Sequence, residues 1–307
     1  MRLLLPAVLT ASLVSLTGCD FEDFGGIGKF SRDFHYNYPM NSSATLNLET
    51  FNGSVEISSW DQNTIDINGT KYGPTQTDAD NLRVNISHTP DEVTIRVERP
   101  VERRNNLGAK FTIRLPRTAH LDRIVSSNGS IHTTDGLGPS HFKSSNGSIK
   151  VEGLRGDLEA TTSNSAIDLL DVEGNVTAHT SNGRVRAERL LGTLDATTSN
   201  GSIQAAIDRA DRPVRVETSN GSIDLTLPRH YDHDLKAGTS NSSITVRLPA
   251  ETNAHVVAHT SNSSIASDFD LTMRGEFSKS HLDAQIGSGG PLIDLHTSNG
   301  HIKLARM

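Results

Sequence analysis

The chain is 307 residues long, 34% hydrophobic and only 5% aromatic, with a net charge of −7 from 29 basic and 36 acidic residues. At about 100–200 residues per domain that length allows one large or two modest domains, and so thin an apolar complement excludes a conventional thick globular core. Interspersed charges with an acidic excess exclude a basic nucleic-acid interface, and one cysteine excludes an internal disulfide.

The N-terminus reads MRLLLPAVLTASLVSLTGCD. Arg2 precedes an apolar run from Leu3 to Leu16, which is too short to span a membrane and has the proportions of a signal-peptide core. The run ends in Leu16-Thr17-Gly18-Cys19, which resembles the lipobox of bacterial lipoproteins. That resemblance implies that residues 1–18 are removed and that Cys19 becomes a lipidated N-terminus bearing acyl chains such as palmitate. Two or more such chains, at about 0.8 kcal/mol per buried methylene, hold a protein stably on a membrane. Asp20 resembles a retention signal of enteric-type lipoproteins, which implies the periplasmic face of the inner membrane. Residues 19–30 are acidic and Gly-rich and read as a tether. Gly25 to Lys29 lacks the spacing of a phosphate-binding loop.

Residues 31–116 read as strand after strand. Ala44 to Thr50, Thr64 to Asn68, Val93 to Val97 and Lys110 to Leu115 alternate apolar with polar residues, the mark of half-buried strands, and the last stops at Pro116. Gly73 to Asn81 is the one stretch suited to a short helical turn.

From residue 117 to 307 a turn signal, typified by Thr218-Ser-Asn-Gly-Ser-Ile223, recurs. Its asparagines are Asn128, Asn146, Asn164, Asn182, Asn200, Asn220, Asn241, Asn262 and Asn299, and Phe51-Asn-Gly-Ser-Val55 carries an early variant. The first four intervals are 18 residues, then 20, 21 and 21, and the last, 37, predicts two coils with one unmarked. A period near 20 predicts a solenoid. Three residues after each asparagine comes Ile or Val, from Ile131 to Ile302, which predicts an inward aliphatic stack. Ten residues after it Gly138, Gly156, Gly174 and Gly192 predict the opposite, sharply bent corner. Six residues past Ile149 stands Arg155, which excludes a left-handed hexapeptide helix. The expected fold is therefore all-β, a single-chain β-solenoid of about ten coils, right-handed or flattened, with 31–116 as a β-rich cap. Because Ser165, Ser242 and Ser263 replace the glycine, the asparagine itself is the expected left-handed residue, stacking amide on amide in a ladder.

Little catalytic chemistry is visible. His179, His259 and His296 share one column, but ligands must converge at about 2 Å and coils two or more apart are too distant, so no metal and no cofactor is expected. His230, Tyr231, Asp232 and His233 form an expanded corner, the best candidate for ligand contact. Nucleophile elbows are absent. Acids such as Asp268 and Asp270 lack the aromatic platforms and basic residues that usually line the groove of a polysaccharide-cleaving solenoid.

The tandem Thr/Ser-Ser-Asn-Gly-x-Ile coils resemble a bacterial "putative adhesin" family, a β-solenoid domain of unknown function. Phe111 to Pro116, Leu225 to Pro228, Val246 to Pro249 and Ile286 to Gly290 extend the likeness over roughly residues 40–307. It implies an anchored, non-enzymatic envelope protein with a binding, adhesion or scaffold surface. Its partners would be the membrane, envelope proteins or polysaccharide, and not nucleic acid. The alternatives are a carbohydrate-active enzyme and an accessory of an envelope-stress system.

Overall fold

The computed structural model describes residues 30–100, 106–274 and 278–307. Cys19 and most of the tether lie outside them.

Each regular coil contains two four-residue strands, as in Ile149–Glu152 and Leu158–Thr161. In both, the first and third side chains are buried and the others are not, so period-two alternation sends one set inward from each sheet. Ile149 pairs in parallel with Ile131 on one side and Ile167 on the other, which stacks like on like. The result is a flattened solenoid: one sheet of 13 strands and one of 14 among the described residues, enclosing one continuous apolar cluster. Large residues of the second sheet (Leu158, Val176, Leu194) alternate along each strand with alanines (Ala160, Ala178, Ala196), all at most 2% exposed. A core two short side chains deep needs few aromatics, which explains the composition.

The column from Ile131 to Ile302 is buried throughout, except that Ile265, in an edge strand, is half-buried. At the opposite corner Gly156, Gly174 and Gly192 have φ of +115°, +149° and +153°. A Cβ on Gly192 would lie 2.0 Å from the Gly174 carbonyl oxygen, so that corner requires glycine. Gln76–Asn81 is the short helix, capped by the Thr75 hydroxyl, which accepts from the Asp78 N–H.

Three expectations change. First, no ladder asparagine has positive φ. The left-handed residues are Asp135, Gly153, Asp171 and Arg189, seven positions after the asparagines and in the opposite corner. In the glycine coils space excludes a side chain, since a Cβ on Gly147 would sit 1.9 Å from Gly129 O, whereas Ser165, Ser242 and Ser263 are accommodated in theirs. Second, the 37-residue interval hides no unmarked coil. After Ile265–Ser267 the chain leaves the stack for Leu271–Met273 and His281–Ile286, then returns. Its last strands, Leu292–Thr297 and Ile302–Arg306, enter between the coils of Asn241 and Asn262. Third, residues 31–116 are more than a cap. Thr45–Thr50 and Val55–Trp60 form a full coil paired directly onto His120–Ser126 and Ile131–Thr134, so neither sheet breaks at 116/117.

Antiparallel strands finish three of the four sheet ends: Phe30–Pro39 on Thr64–Gly73, Val84–His88 on Glu92–Val97, and Leu271–Met273 on His281–Ile286. The fourth ends in the three-residue strand Ile265–Ser267. Such endings blunt the addition of further strands.

Candidate binding surface

Two corners run the length of the stack, and their chemistry differs. At the first, each asparagine amide donates to the side-chain oxygen of its neighbour, as in Asn146 to Asn128 (2.6 Å), Asn164 to Asn146 (2.7 Å) and Asn220 to Asn200 (2.8 Å). Asn299 donates to Asn241 and Asn262 to Asn299, so the ladder follows the inserted order of coils. Asn52 extends it at the other end by accepting from Asn128. Two residues earlier lies a second, buried ladder of hydroxyls. Thr162 donates to Gly147 O, Thr180 to Ser165 O and Thr218 to Gly201 O, at 2.9–3.0 Å. The same oxygens accept the N–H of the following glycine where one is present, as Thr180 does from Gly183. Both ladders satisfy turn groups and are structural.

The second corner carries charge. Its left-handed column reads Asp135, Gly153, Asp171, Arg189, and Arg117, Arg155 and Glu173 stand beside it. Together with Leu137, Leu191 and Asp208 they line a groove of about 390 Å³ in which no lining residue is aromatic. Arg189 grips Asp171 in a two-pronged pair (2.5 and 2.6 Å). That guanidinium holds the Asp171 carboxyl below its ordinary value. Arg117 is held chiefly by Asp61 at 2.7 Å and reaches Asp135 at 3.5 Å. Gly153 leaves a gap in the column, since a Cβ there would sit 2.7 Å from Asp135 Oδ1. Arg155 is the least committed cation: its side chain is 77% exposed and its carboxylate partner, Glu173, is 4.0 Å away. Asp135 and Asp171 are two coils apart, about 9–10 Å. The arrangement suits a polar or charged chain laid along the corner. A carboxyl held ionised by arginine is a poor general acid. The 18-residue spacing of Asp135, Gly153, Asp171 and Arg189 was open to reading, because Asp and Gly tolerate left-handed backbone.

A wider concavity of about 630 Å³ lies at the N-terminal end beside Phe34 and Lys110. There the Phe34 ring covers Gly69 and meets Phe111 edge-on at 5.9 Å, which closes the core.

The expanded corner at 230–234 is tied down. The Tyr231 hydroxyl donates to Asp234 O at 2.7 Å and accepts from Val214 N–H, and burial raises its pKa. His230 and Asp232 are exposed, and His233 faces Asp232 at 3.3 Å. Asp268 accepts from Arg306 N–H and is near Lys303, with no link to Asp270. Among the described residues no three potential metal ligands converge. The distance argument for the histidine column nevertheless fails in part. His259 and His296 are direct neighbours, and His281 flanks His259 on its other side. His179 stays four strands from His296.

The model of the Toastrack family, DUF4097, matches residues 43–246. Among solved structures, a "putative cell adhesion protein" from Clostridium sporogenes is 11% identical, with 90% of this chain and 100% of that one covered and a TM-score of 0.25. A "putative adhesin" from Bacteroides fragilis is 14% identical over 92% and 100%, with a TM-score of 0.36. No curated protein matches the chain.

Proposed function

The chain belongs to the Toastrack (DUF4097) family, and on that premise we propose that it is a lipid-anchored protein of the bacterial cell envelope whose solenoid is a non-enzymatic binding or scaffold surface. The observation that carries the reading is the charged corner groove, three of whose four carboxylates are met by guanidinium groups: Asp171 by Arg189, Asp135 by Arg117, Glu173 by Arg155 and Arg209. Such a surface suits the recognition of polar or charged ligands. Ten asparagine rungs at about 4.8 Å span about 43 Å, a rigid spacer on the scale of an envelope compartment. The lipobox-like LTGC supports anchoring through Cys19, and Asp20 supports the periplasmic face of the inner membrane.

Two experiments test this. Radiolabelled palmitate should enter the wild-type protein and not Cys19→Ser; labelling of the serine variant overturns the anchor. The protein is then offered peptidoglycan and common polysaccharides, with retention and turnover followed side by side. Retention lost in Arg155→Glu, without turnover, supports the groove as a binding surface. The spacing of Asp135 and Asp171 lies close to that of inverting glycosidases, about 6.5–9.5 Å, so turnover abolished by Asp135→Ala and Asp171→Ala would replace the binding reading with an enzymatic one.

A further inference from the structure

The N-terminal end of the stack is finished unevenly. The 13-stranded sheet runs three strands past Val55–Trp60, and the 14-stranded sheet only two past Thr45–Thr50, so the last strand, Phe30–Pro39, overhangs. Alternation turns Phe30, Arg32, Phe34, Tyr36 and Tyr38 to the inner side of this overhang, the side on which Phe34 meets the buried Phe111. Four of the chain's 14 aromatic residues (nine Phe, four Tyr, one Trp) thus stand in one strand. Among the described residues, the exposed aromatic side chains are two of these four, Phe30 at 39% and Tyr36 at 42%.

The row is fixed in place. Tyr36 stacks on Tyr38 with ring centroids 6.0 Å apart, and Tyr38 stacks on His88 at 4.5 Å. His88 also bonds Pro39 O at 2.8 Å, which ties the row to Val84–His88, the end strand of the other sheet. The charges around it balance: Arg32 faces Asp80 at 3.7 Å, and Arg83 faces Glu98 at 3.8 Å. Tyrosine concentrates at membrane–water interfaces, where its apolar ring is buried and its hydroxyl stays wet. Ten residues, Asp20 to Lys29, separate Cys19 from Phe30, which limits the distance between them to about 36 Å. An anchor at Cys19 therefore keeps this end of the stack, and not the other, at high local concentration beside the bilayer.

We propose that this aromatic end face docks on the phospholipid bilayer that holds the anchor, an inference that rests on the reading of Cys19 as the lipidated N-terminus. Phe30 and Tyr36 enter the headgroup layer. Arg32 with Asp80 and Arg83 with Glu98 match the paired charges of a zwitterionic surface. An anchor alone leaves the stack free to swing about its attachment, whereas a seated end face fixes its direction. Thirteen strands at about 4.8 Å then carry the far end about 58 Å from the seated end, and the charged corner groove runs outward along that length.

The lipidated full chain is placed in vesicles of phosphatidylethanolamine and phosphatidylcholine, part of the latter bearing a nitroxide near its headgroup. Cys19 is the chain's one cysteine, so once it is acylated an introduced thiol is the only free one. Asn37→Cys, exposed on the outer side of the overhanging strand, carries a polarity-sensitive fluorophore and leaves the aromatic row intact. Asp195→Cys, exposed and seven strands in from Val84–His88, about 33 Å away, is the comparison. Palmitate uptake is measured on every preparation. The label at 37 should be quenched and shifted to the blue, and the label at 195 neither. Adding Tyr36→Glu should bring quenching at 37 down to the level at 195, with palmitate uptake and the circular dichroism spectrum unchanged. Phe30→Glu, at the first residue of the strand, should lower it without touching the ring stack. Palmitate uptake with equal quenching at 37 and 195 would overturn the docking face and leave the anchor standing. A chain that takes up no palmitate would remove the anchor and this proposal together. Energy transfer between differently labelled Asn37→Cys chains that persists on dilution among excess vesicles would assign the face to a second copy instead.

Discussion

Replacing Thr180 by valine keeps the side-chain shape and deletes only the hydroxyl. That oxygen donates to Ser165 O at 3.0 Å, joining two coils, and accepts from Gly183 N–H at 3.2 Å, within its own turn. Thr180 is fully buried, so water has no route to the carbonyl and the amide left behind. Each buried polar group left unmet costs about 1–3 kcal/mol, and a partial offset from the added methyl leaves about 2–4 kcal/mol. Asn182→Ala is the contrasting change. It also removes two rungs, to Asn164 at 2.9 Å and from Asn200 at 2.7 Å, but these lie at the exposed corner. Water replaces them, and the cost falls to about 1 kcal/mol. Urea unfolding followed by far-UV circular dichroism compares the two through midpoint shifts at unchanged slope. Fluorescence of the single Trp60 would report only the first coil, and repeat arrays unfold piecewise, so amide exchange at Gly183 is measured alongside. A cost for Thr180→Val at or below that of Asn182→Ala would refute the assignment of stability to the buried ladder.

Ile203→Asp puts a charge into the fully buried aliphatic column and should cost several kcal/mol. Glu217→Ala breaks surface pairs to Arg215 (2.9 Å) and Lys236 (3.3 Å), worth about 0–1 kcal/mol; a reversed ranking in thermal melts would place the inward register one residue away. Gly192→Ala must displace the Gly174 carbonyl and adopt a φ of +153°, so a lowered melting temperature is expected, and a neutral result would argue against that corner geometry. The Asp171 carboxyl has a folded pKa below its ordinary 3.8. Its pairing therefore contributes in full above that value and is lost as pH falls through the folded one, and Asp171→Asn should flatten the acid limb of the stability profile. Deleting residues 292–307 removes one partner strand from each of Leu235–Gly238 and Ala254–Thr260, so proteolysis should clip the truncated chain beyond about residue 250, whereas the intact chain resists.

The regular part of this fold was legible because it is written in local terms. Alternation marked the strands, and the column from Ile131 to Ile302 marked their inward face. The glycines at 138, 156, 174 and 192 marked a corner. The asparagine column was legible as a ladder, yet its backbone conformation was not. A residue type that tolerates left-handed φ does not require it, and the hydroxyl two residues earlier already satisfies the turn. Asp135, Asp171 and Arg189 went unread as a column because their charges differ, although their spacing is as regular as that of the asparagines.

By itself the sequence determined the all-β class, the repeat, the inward column and the two kinds of corner, since each follows from periodicity within one coil. Only the tertiary structure decided the order of coils at the C-terminal end, and with it the placing of His259 between His281 and His296. An alternating Leu-Ile-Asp-Leu-His-Thr strand pairs equally well with many partners of the same pattern, so nothing within residues 292–297 specifies its neighbours. The choice comes from closing the sheets: the antiparallel pair 271–273 and 281–286 occupies the end, and the slot between the coils of Asn241 and Asn262 is where the last strands find partners on both sides.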